Sequence, residues 1–358
     1  MSAEDLVAND DSRVAGSDPA TGARLSSLLS RVADLELHDW PAAIELLTAA
    51  CRADSSGELE LALAELRYRS GLRLLAECGP SASLAPGTSP TVGERGVPEL
   101  PLDAVDAPTV RAAILEHGCL LVPGALDAVR APQIAAAIDH SFSVSETVAD
   151  DGCELDSRWW RPLPVSDAEK ALLGRKWVKG AGGLLFADCP KLQFEILELY
   201  GELGLGHMVR EYLGGRAVLS ANKCTLRRVP VDAVGGWHQD GAFLGSGIRA
   251  INLWLALTDC GADAPGLELI PRRFDSVVET GTGDSYFEWA SGEDAVRNAA
   301  GRTEPISPAF SAGDLLIFDD LLLHRTAVNA TMTRERHAIE MWCFAADRYP
   351  SGQVPVVW

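Results

Sequence analysis

Positive charge is scarce in this chain. Across 358 residues, 31 Lys and Arg stand against 51 Asp and Glu, a net charge of −20 with His neutral. Sequence-independent nucleic-acid binders gain affinity by neutralising phosphates with Lys and Arg, so that class is disfavoured. The same shortage disfavours a polybasic membrane anchor. No apolar run reaches the ~18 residues needed to cross a bilayer. The eight cysteines form no CxxC pair, which argues against a zinc ribbon or a thioredoxin-like motif. The opening MSAEDLVANDDSR has no basic segment followed by an apolar one, as a secretory signal would. These absences lead to the expectation of a cytoplasmic protein with free, buried thiols and no membrane or nucleic-acid partner. No internal repeat of fixed period is present.

What is present falls into three parts. Residues 1–22 are polar, rich in Ala, Asp and Ser, and read as a disordered tail. Residues 23–95 begin with helical spacing: Leu25, Leu28, Leu29, Val32 and Leu35 form one apolar stripe. Pro41 fits a first helical turn, Ser55-Ser56-Gly57 breaks the second helix, and a longer third helix follows. Residues 79–100 are dense in Pro, Gly, Ser and Thr, which is linker composition. From residue 96 to 358 the character changes again. A short strand CLLVPG, a helix over about 129–142, an irregular stretch over 145–190 and one amphipathic helix over 192–214 are expected. Short strands then follow at 217–229, 247–259, 266–271, 313–319, 321–329 and 336–345. Helices first and many strands afterwards suggest a β-sandwich or jelly roll with a helical buttress.

Only seven histidines occur, and two sit in unusual settings. In GGWHQDGAF, His238 and Asp240 are two residues apart, so on a strand both point to one face. His324 lies on the apolar run LLLHRTAVN, where an unpartnered imidazole is costly. An HxD pair alone is common without a metal, but a third ligand from a distant strand completes a two-His-one-carboxylate set. That set leaves open positions on the ion and points to non-haem Fe(II) oxygenases. Arg336, amid Ala338, Met341 and Trp342, would need an anion as partner, and a dicarboxylate would supply one. His337 points to the opposite face of that strand.

These residues carry a resemblance. His238-Gln239-Asp240, His324 with Asn329, and Arg336 leading into Ala338-Ile339 resemble the phytanoyl-CoA dioxygenase family. NLWLALTD followed by APGLELIPRRF, and EHGCLLVPGAL, extend the similarity over about residues 105–346. The resemblance implies a double-stranded β-helix (a cupin-like jelly roll) and a requirement for Fe(II), 2-oxoglutarate and O2. It implies that His238, Asp240 and His324 hold iron, that Arg336 grips the distal carboxylate of 2-oxoglutarate, and that Gln239, Trp254 and Thr326 line its pocket. The spacing from His324 to Arg336 is one residue longer than usual, which makes Arg334 a rival anchor. A carboxylate at 240 fills the position that related halogenases leave open for chloride, so hydroxylation or a related C–H oxidation is implied, with release of succinate and CO2.

Trp160, Trp177, Lys179, Phe186 and Phe243 are candidate substrate contacts, and the insertion over 274–305 is a candidate cover for the site. The composition is compatible with a bacterial biosynthetic tailoring enzyme acting on a small natural-product molecule. The helical region leaves a homodimer open. Two rival readings remain: a metal-dependent hydrolase or isomerase using the same three ligands, and a non-catalytic protein that binds metal and 2-oxoglutarate.

Overall fold

The computed structural model describes residues 19–151, 157–285 and 287–358. Residues 1–18 of the expected tail lie outside these, and residues 19–22 already belong to the first helix. Three helices open the chain: α1 (Pro19–His38), α2 (Trp40–Ala53) and α3 (Gly57–Glu77). Their boundaries follow from local chemistry. The Asp39 carboxylate accepts a hydrogen bond from the Ala42 amide with Pro41 in the first turn. Ser56 caps α3 through the Leu59 amide. Trp40, Leu47, Leu63 and Leu66 bury a small core of their own, closed by Phe194 and Val357 from later in the chain. Each such side chain contributes about 1.5–3 kcal/mol.

The remainder runs α4 (Ala107–His117), β1 (Cys119–Val122), α5 (Arg130–Asp151), α6 (Asp167–Leu172), α7 (Arg175–Gly180), β2 (Gly183–Leu185), α8 (Pro190–Glu202), α9 (Leu205–Leu213), β3 (Ala217–Ser220) and β4 (Thr225–Val229). Then come α10 (Gly241–Leu244), β5 (Ala250–Ala256), β6 (Gly266–Arg273), α11 (Glu293–Ala300), β7 (Leu315–Phe318), β8 (Leu322–Ala327), β9 (Arg336–Ala345) and β10 (Pro355–Val357).

From β4 onward the chain alternates between two sheets. β4, β5, β7 and β9 belong to the large antiparallel sheet, in which β7, β5, β9 and β4 are neighbours. The intervening segments form the small sheet: residues 237–238, then β6, then β8. This back-and-forth winding is the double-stranded β-helix expected from the resemblance. The register decides which residues of the large sheet share a face. Thr225 pairs Glu340, Arg227 pairs Ala338 and Trp254 pairs Glu340. With Arg336 two and four residues from Ala338 and Glu340, these side chains share one face.

The helices extend further than the sequence reading foresaw. The stretch 145–190, read as irregular, contains the end of α5 as well as α6, α7 and β2. The expected single helix over 192–214 is two, because Gly204 takes a left-handed conformation (φ 75°) between α8 and α9. The strand expected over 217–229 is interrupted by a turn between β3 and β4. The segment after α3 crosses the surface without a helix, stitched down by Ala82 to Gly214 and Gly87 to Pro108. The seven described cysteines are free and all but Cys78 are buried. Among the described residues, no helix is long and apolar enough to cross a membrane.

Candidate metal centre and anion seat

His238 does not lie on a long strand. It makes an isolated antiparallel bridge to His324, with both backbone N–H···O bonds formed (2.9 and 3.0 Å). The chain turns at once: Asp240 is in the right-handed helical region and precedes α10. The direct pairing sets the two imidazoles side by side, with centroids 4.4 Å apart. Ligand atoms of His238, Asp240 and His324 all lie within 4.8 Å of one another. The HxD spacing therefore works through a strand end and a turn rather than a continuous strand.

Each imidazole is fixed from behind. His238 Nδ1 lies 2.9 Å from the Gly236 carbonyl and His324 Nδ1 lies 3.1 Å from the Leu322 carbonyl. A carbonyl only accepts, so both Nδ1 atoms donate and both Nε2 lone pairs are free for a cation. Burial first, and the neighbouring His324 second, pull His238 down to about 3. Burial raises the Asp240 carboxyl, against attraction from His324 and Lys223. The pocket is thus costly for unpaired charge, and a divalent cation would relieve it.

Arg336 opens β9 and is 1% exposed. One Nη1 proton goes to the Gly266 carbonyl at 2.8 Å, while Nε is buried with no partner. Its guanidinium lies 5.5 Å from the Trp254 ring, whose Nε1 is also buried and unpartnered. No carboxylate forms an ion pair with Arg336 among the described residues, and burial pulls its pKa down to about 10. Arg334 is different. It is half exposed and forms a two-pronged pair with Asp263, both contacts 2.8 Å. The rival anchor is therefore engaged on the surface. Thr326 lies beside Ala327, the strand partner of Gly266, whose carbonyl accepts from Arg336. There it lines a cleft of about 460 Å³ with Glu268, Ser307 and Asn329. None of the three metal-ligand candidates lines that cleft.

Gln239, expected beside the cosubstrate, has a second set of partners in the structure. Its amide is spent on backbone: Nε2 donates to the Leu321 carbonyl (2.8 Å) and Oε1 accepts from the Val278 amide (2.7 Å). It ties the HxD turn to the 274–305 insertion and to the start of β8.

Of the candidate substrate contacts, the structure brings only Phe243 to the triad. Its ring is 6.4 Å from that of His238. Phe186 is core and Trp160 packs half-buried against that core. Trp177 is 57% exposed on α7, and Lys179 donates to the Ser145 carbonyl. Sequence reading missed Trp289, 5.3 Å from His238 and 5.5 Å from Phe243. Phe287 stacks on Trp289 at 4.6 Å. Both come from the insertion, which reaches His238 through Trp289 and is pinned by Arg325 to Glu293. Also missed were Lys223, Arg227 and Glu340. Burial raises Glu340, but Arg227 and the Thr225 hydroxyl outweigh it and the net direction is down. Strand parity was the available signal for two of them: Arg227 alternates with Thr225 on β4, and Glu340 with Arg336 and Ala338 on β9, whereas Lys223 sits in the preceding turn. His337 faces away, as expected, with Nε2 2.8 Å from Asp139.

Residues 215–338 match the family model described as phytanoyl-CoA dioxygenase (PhyH). The chain is also similar to solved structures. EctD from S. alaskensis, with 2-oxoglutarate and 5-hydroxyectoine, shares 18% identity over 76% of this chain and 88% of its own, with a TM-score of 0.47. AviO1 from Streptomyces viridochromogenes Tue57 shares 19% over 69% and 98%, with a TM-score of 0.40. SnoK, a non-haem alpha-ketoglutarate-dependent carbocyclase from nogalamycin biosynthesis, shares 14% over 69% and 86%, with a TM-score of 0.44. No curated protein matches the sequence.

Proposed function

We propose that this chain, similar to the phytanoyl-CoA dioxygenase family over residues 215–338, is a non-haem Fe(II)- and 2-oxoglutarate-dependent oxygenase. The donor set fits the metal: two imidazoles with free Nε2 atoms and one carboxylate, all within 4.8 Å of one another, are the two-His-one-carboxylate set that would leave positions open on iron. A zinc hydrolase could use the same three ligands. The observation that favours 2-oxoglutarate is the pair of buried donors without partners, Arg336 Nε and Trp254 Nε1, beside the large-sheet face that carries the site. A carboxylate seated there satisfies both, and a hydrolase has no need of one.

In this reading His238, Asp240 and His324 hold iron, and Arg336 with Trp254 holds the distal carboxylate. Bound iron and 2-oxoglutarate would supply the O2-activating chemistry for oxidation of a C–H bond of a small-molecule substrate. The protein's share is orientation and dryness. The two backbone carbonyls behind the imidazoles keep Nε2 aimed inward, and Gln239 keeps the HxD turn in place. Phe243 and Trp289 exclude water above His238. Hydroxylation is the outcome we assign, since Asp240 occupies the position that a halide would need. A biosynthetic tailoring role suits such chemistry.

The test is spectroscopic and then chemical. Under anaerobic conditions, Fe(II) plus 2-oxoglutarate should give a visible charge-transfer band in wild type and none in His324→Ala. Admission of O2 should release succinate only when both are present. Bound metal without a band, together with 2-oxoglutarate-independent turnover, moves the hydrolase reading to the front.

A further inference from the structure

Lys223, in the turn before β4, is a positive charge near the triad that this reading leaves unused. Its Nζ sits 3.4 Å from the centroid of Phe243, and Phe243 in turn lies against His238. Among the described residues it has no ion pair and no hydrogen-bond acceptor; its one partner is the ring face. Two carboxylates attract it, Asp240 and Glu340, and both are committed elsewhere. Asp240 belongs to the metal. Glu340 accepts from Thr225 at 2.9 Å and lies 3.8 Å from Arg227. Arg227 adds repulsion. A recessed ammonium in this position is costly unless an anion arrives from outside.

Arg336 is a different seat. Its nearest ring is Trp254 on β5, whereas Lys223 touches Phe243 beyond the HxD turn. The walls beside Lys223 are flat and apolar: Phe243, Trp289 and Phe287 form a chain of ring contacts at 5.5 and 4.6 Å. Flat apolar walls with one cation are the lining expected for an amphipathic acid.

We propose that Lys223 is a specificity-determining residue that binds a carboxylate of the substrate, and that the substrate is a small monocarboxylic acid with a flat apolar body held by Phe243 and Trp289. The single uncommitted positive charge is matched by one negative charge, which favours a carboxylate over a doubly charged phosphate ester. This inference rests on the oxygenase reading, since it assigns Asp240 to iron and Arg336 to 2-oxoglutarate.

The test is calorimetric, on anaerobic protein loaded with Fe(II) and saturating 2-oxoglutarate. The probes are benzoate, phenylacetate, 3-phenylpropionate and indole-3-acetate, each beside its amide, and phenyl phosphate. At least one acid should bind wild type more tightly than its amide does. Lys223→Met should weaken that acid by about 10- to 100-fold and leave its amide within threefold, with Lys223→Arg retaining the preference. Raising 2-oxoglutarate further should not change the affinity. The proposal is overturned if no acid outbinds its amide, if Lys223→Met weakens both equally, if added 2-oxoglutarate competes, or if phenyl phosphate binds most tightly through Lys223. The charge-transfer band is read first in the same samples. Its absence refutes the oxygenase reading itself, whereas a band combined with any of the four negative results refutes only the role of Lys223.

Discussion

The N-terminal helical layer and the β-helix each bury an arginine that, among the described residues, has no carboxylate in ion-pair reach. Arg67 on α3 donates Nη1 to the Val357 carbonyl at 3.2 Å and leaves Nε unmet. Arg336 donates Nη1 to the Gly266 carbonyl and also leaves Nε unmet. Burial pulls both down to about 10. By these measures they are twins, so burial and an orphan donor do not by themselves mark a site. The surroundings separate them. Arg67 lies where α3 presses on β10, and a Cβ on Gly71 would stand 2.8 Å from the Pro355 carbonyl. That is a closed seam between packed elements. Arg336 shares its space with a second orphan donor, Trp254 Nε1, on the face of the large sheet that also carries Glu340 and Arg227. An orphan guanidinium beside the candidate site can await an acceptor from outside; one in a closed seam between α3 and β10 is a tether.

Swapping the two losses should break the symmetry. The largest effect expected is on Arg336→Met: 2-oxoglutarate affinity should fall by roughly 30- to 1000-fold, the cost of removing one partner of a buried charged pair. Arg67→Met should leave that affinity within twofold. Isothermal titration of both variants checks this. Gln239→Leu should cost about 10- to 100-fold in Fe(II) affinity, because the amide orients the turn that carries two ligands; metal competition with a chelator reads it. Arg67→Met should instead lower stability by about 1–3 kcal/mol, from one lost buried hydrogen bond, seen as a shift in urea midpoint that Arg334→Ala does not show. A smaller effect concerns pH in metal-free protein. His238 binds its proton far less readily folded than unfolded. Its contribution is therefore present above the unfolded value of 6.5 and is lost as pH falls from there toward about 3. The slope is at most about 1.4 kcal/mol per pH unit. His238→Asn should flatten it in denaturation curves taken from pH 7 to pH 5.

The candidate ligand set was legible because its chemistry is loud in sequence: an HxD pair beside glycines, and a lone histidine in an apolar run. Arg336 was legible for the same reason, as a charge amid Ala338, Met341 and Trp342. What stayed hidden depended on pairing over distance. Trp289 comes from an insertion with no strand pattern, so nothing local said that it would reach His238. Gln239 looked like a pocket residue, but its partners Leu321 and Val278 belong to other segments. The break between α8 and α9 was missed because apolar spacing continues across Gly204. Likewise α6 and α7 are each six residues long, too short for periodicity to register.

The account turns on whether Arg336 and Trp254 wait for an acceptor that Arg67 does not. Nitrogen–proton NMR spectra of Zn(II)-substituted protein, assigned by Arg336→Lys, Arg67→Lys and Trp254→Phe, measure that directly. On addition of 2-oxoglutarate, the Arg336 Nε–H and Trp254 Nε1–H signals should move together to lower field, while Arg67 Nε–H stays still. Saturable binding with both Arg336 and Trp254 unmoved would contradict the account and place the anion elsewhere.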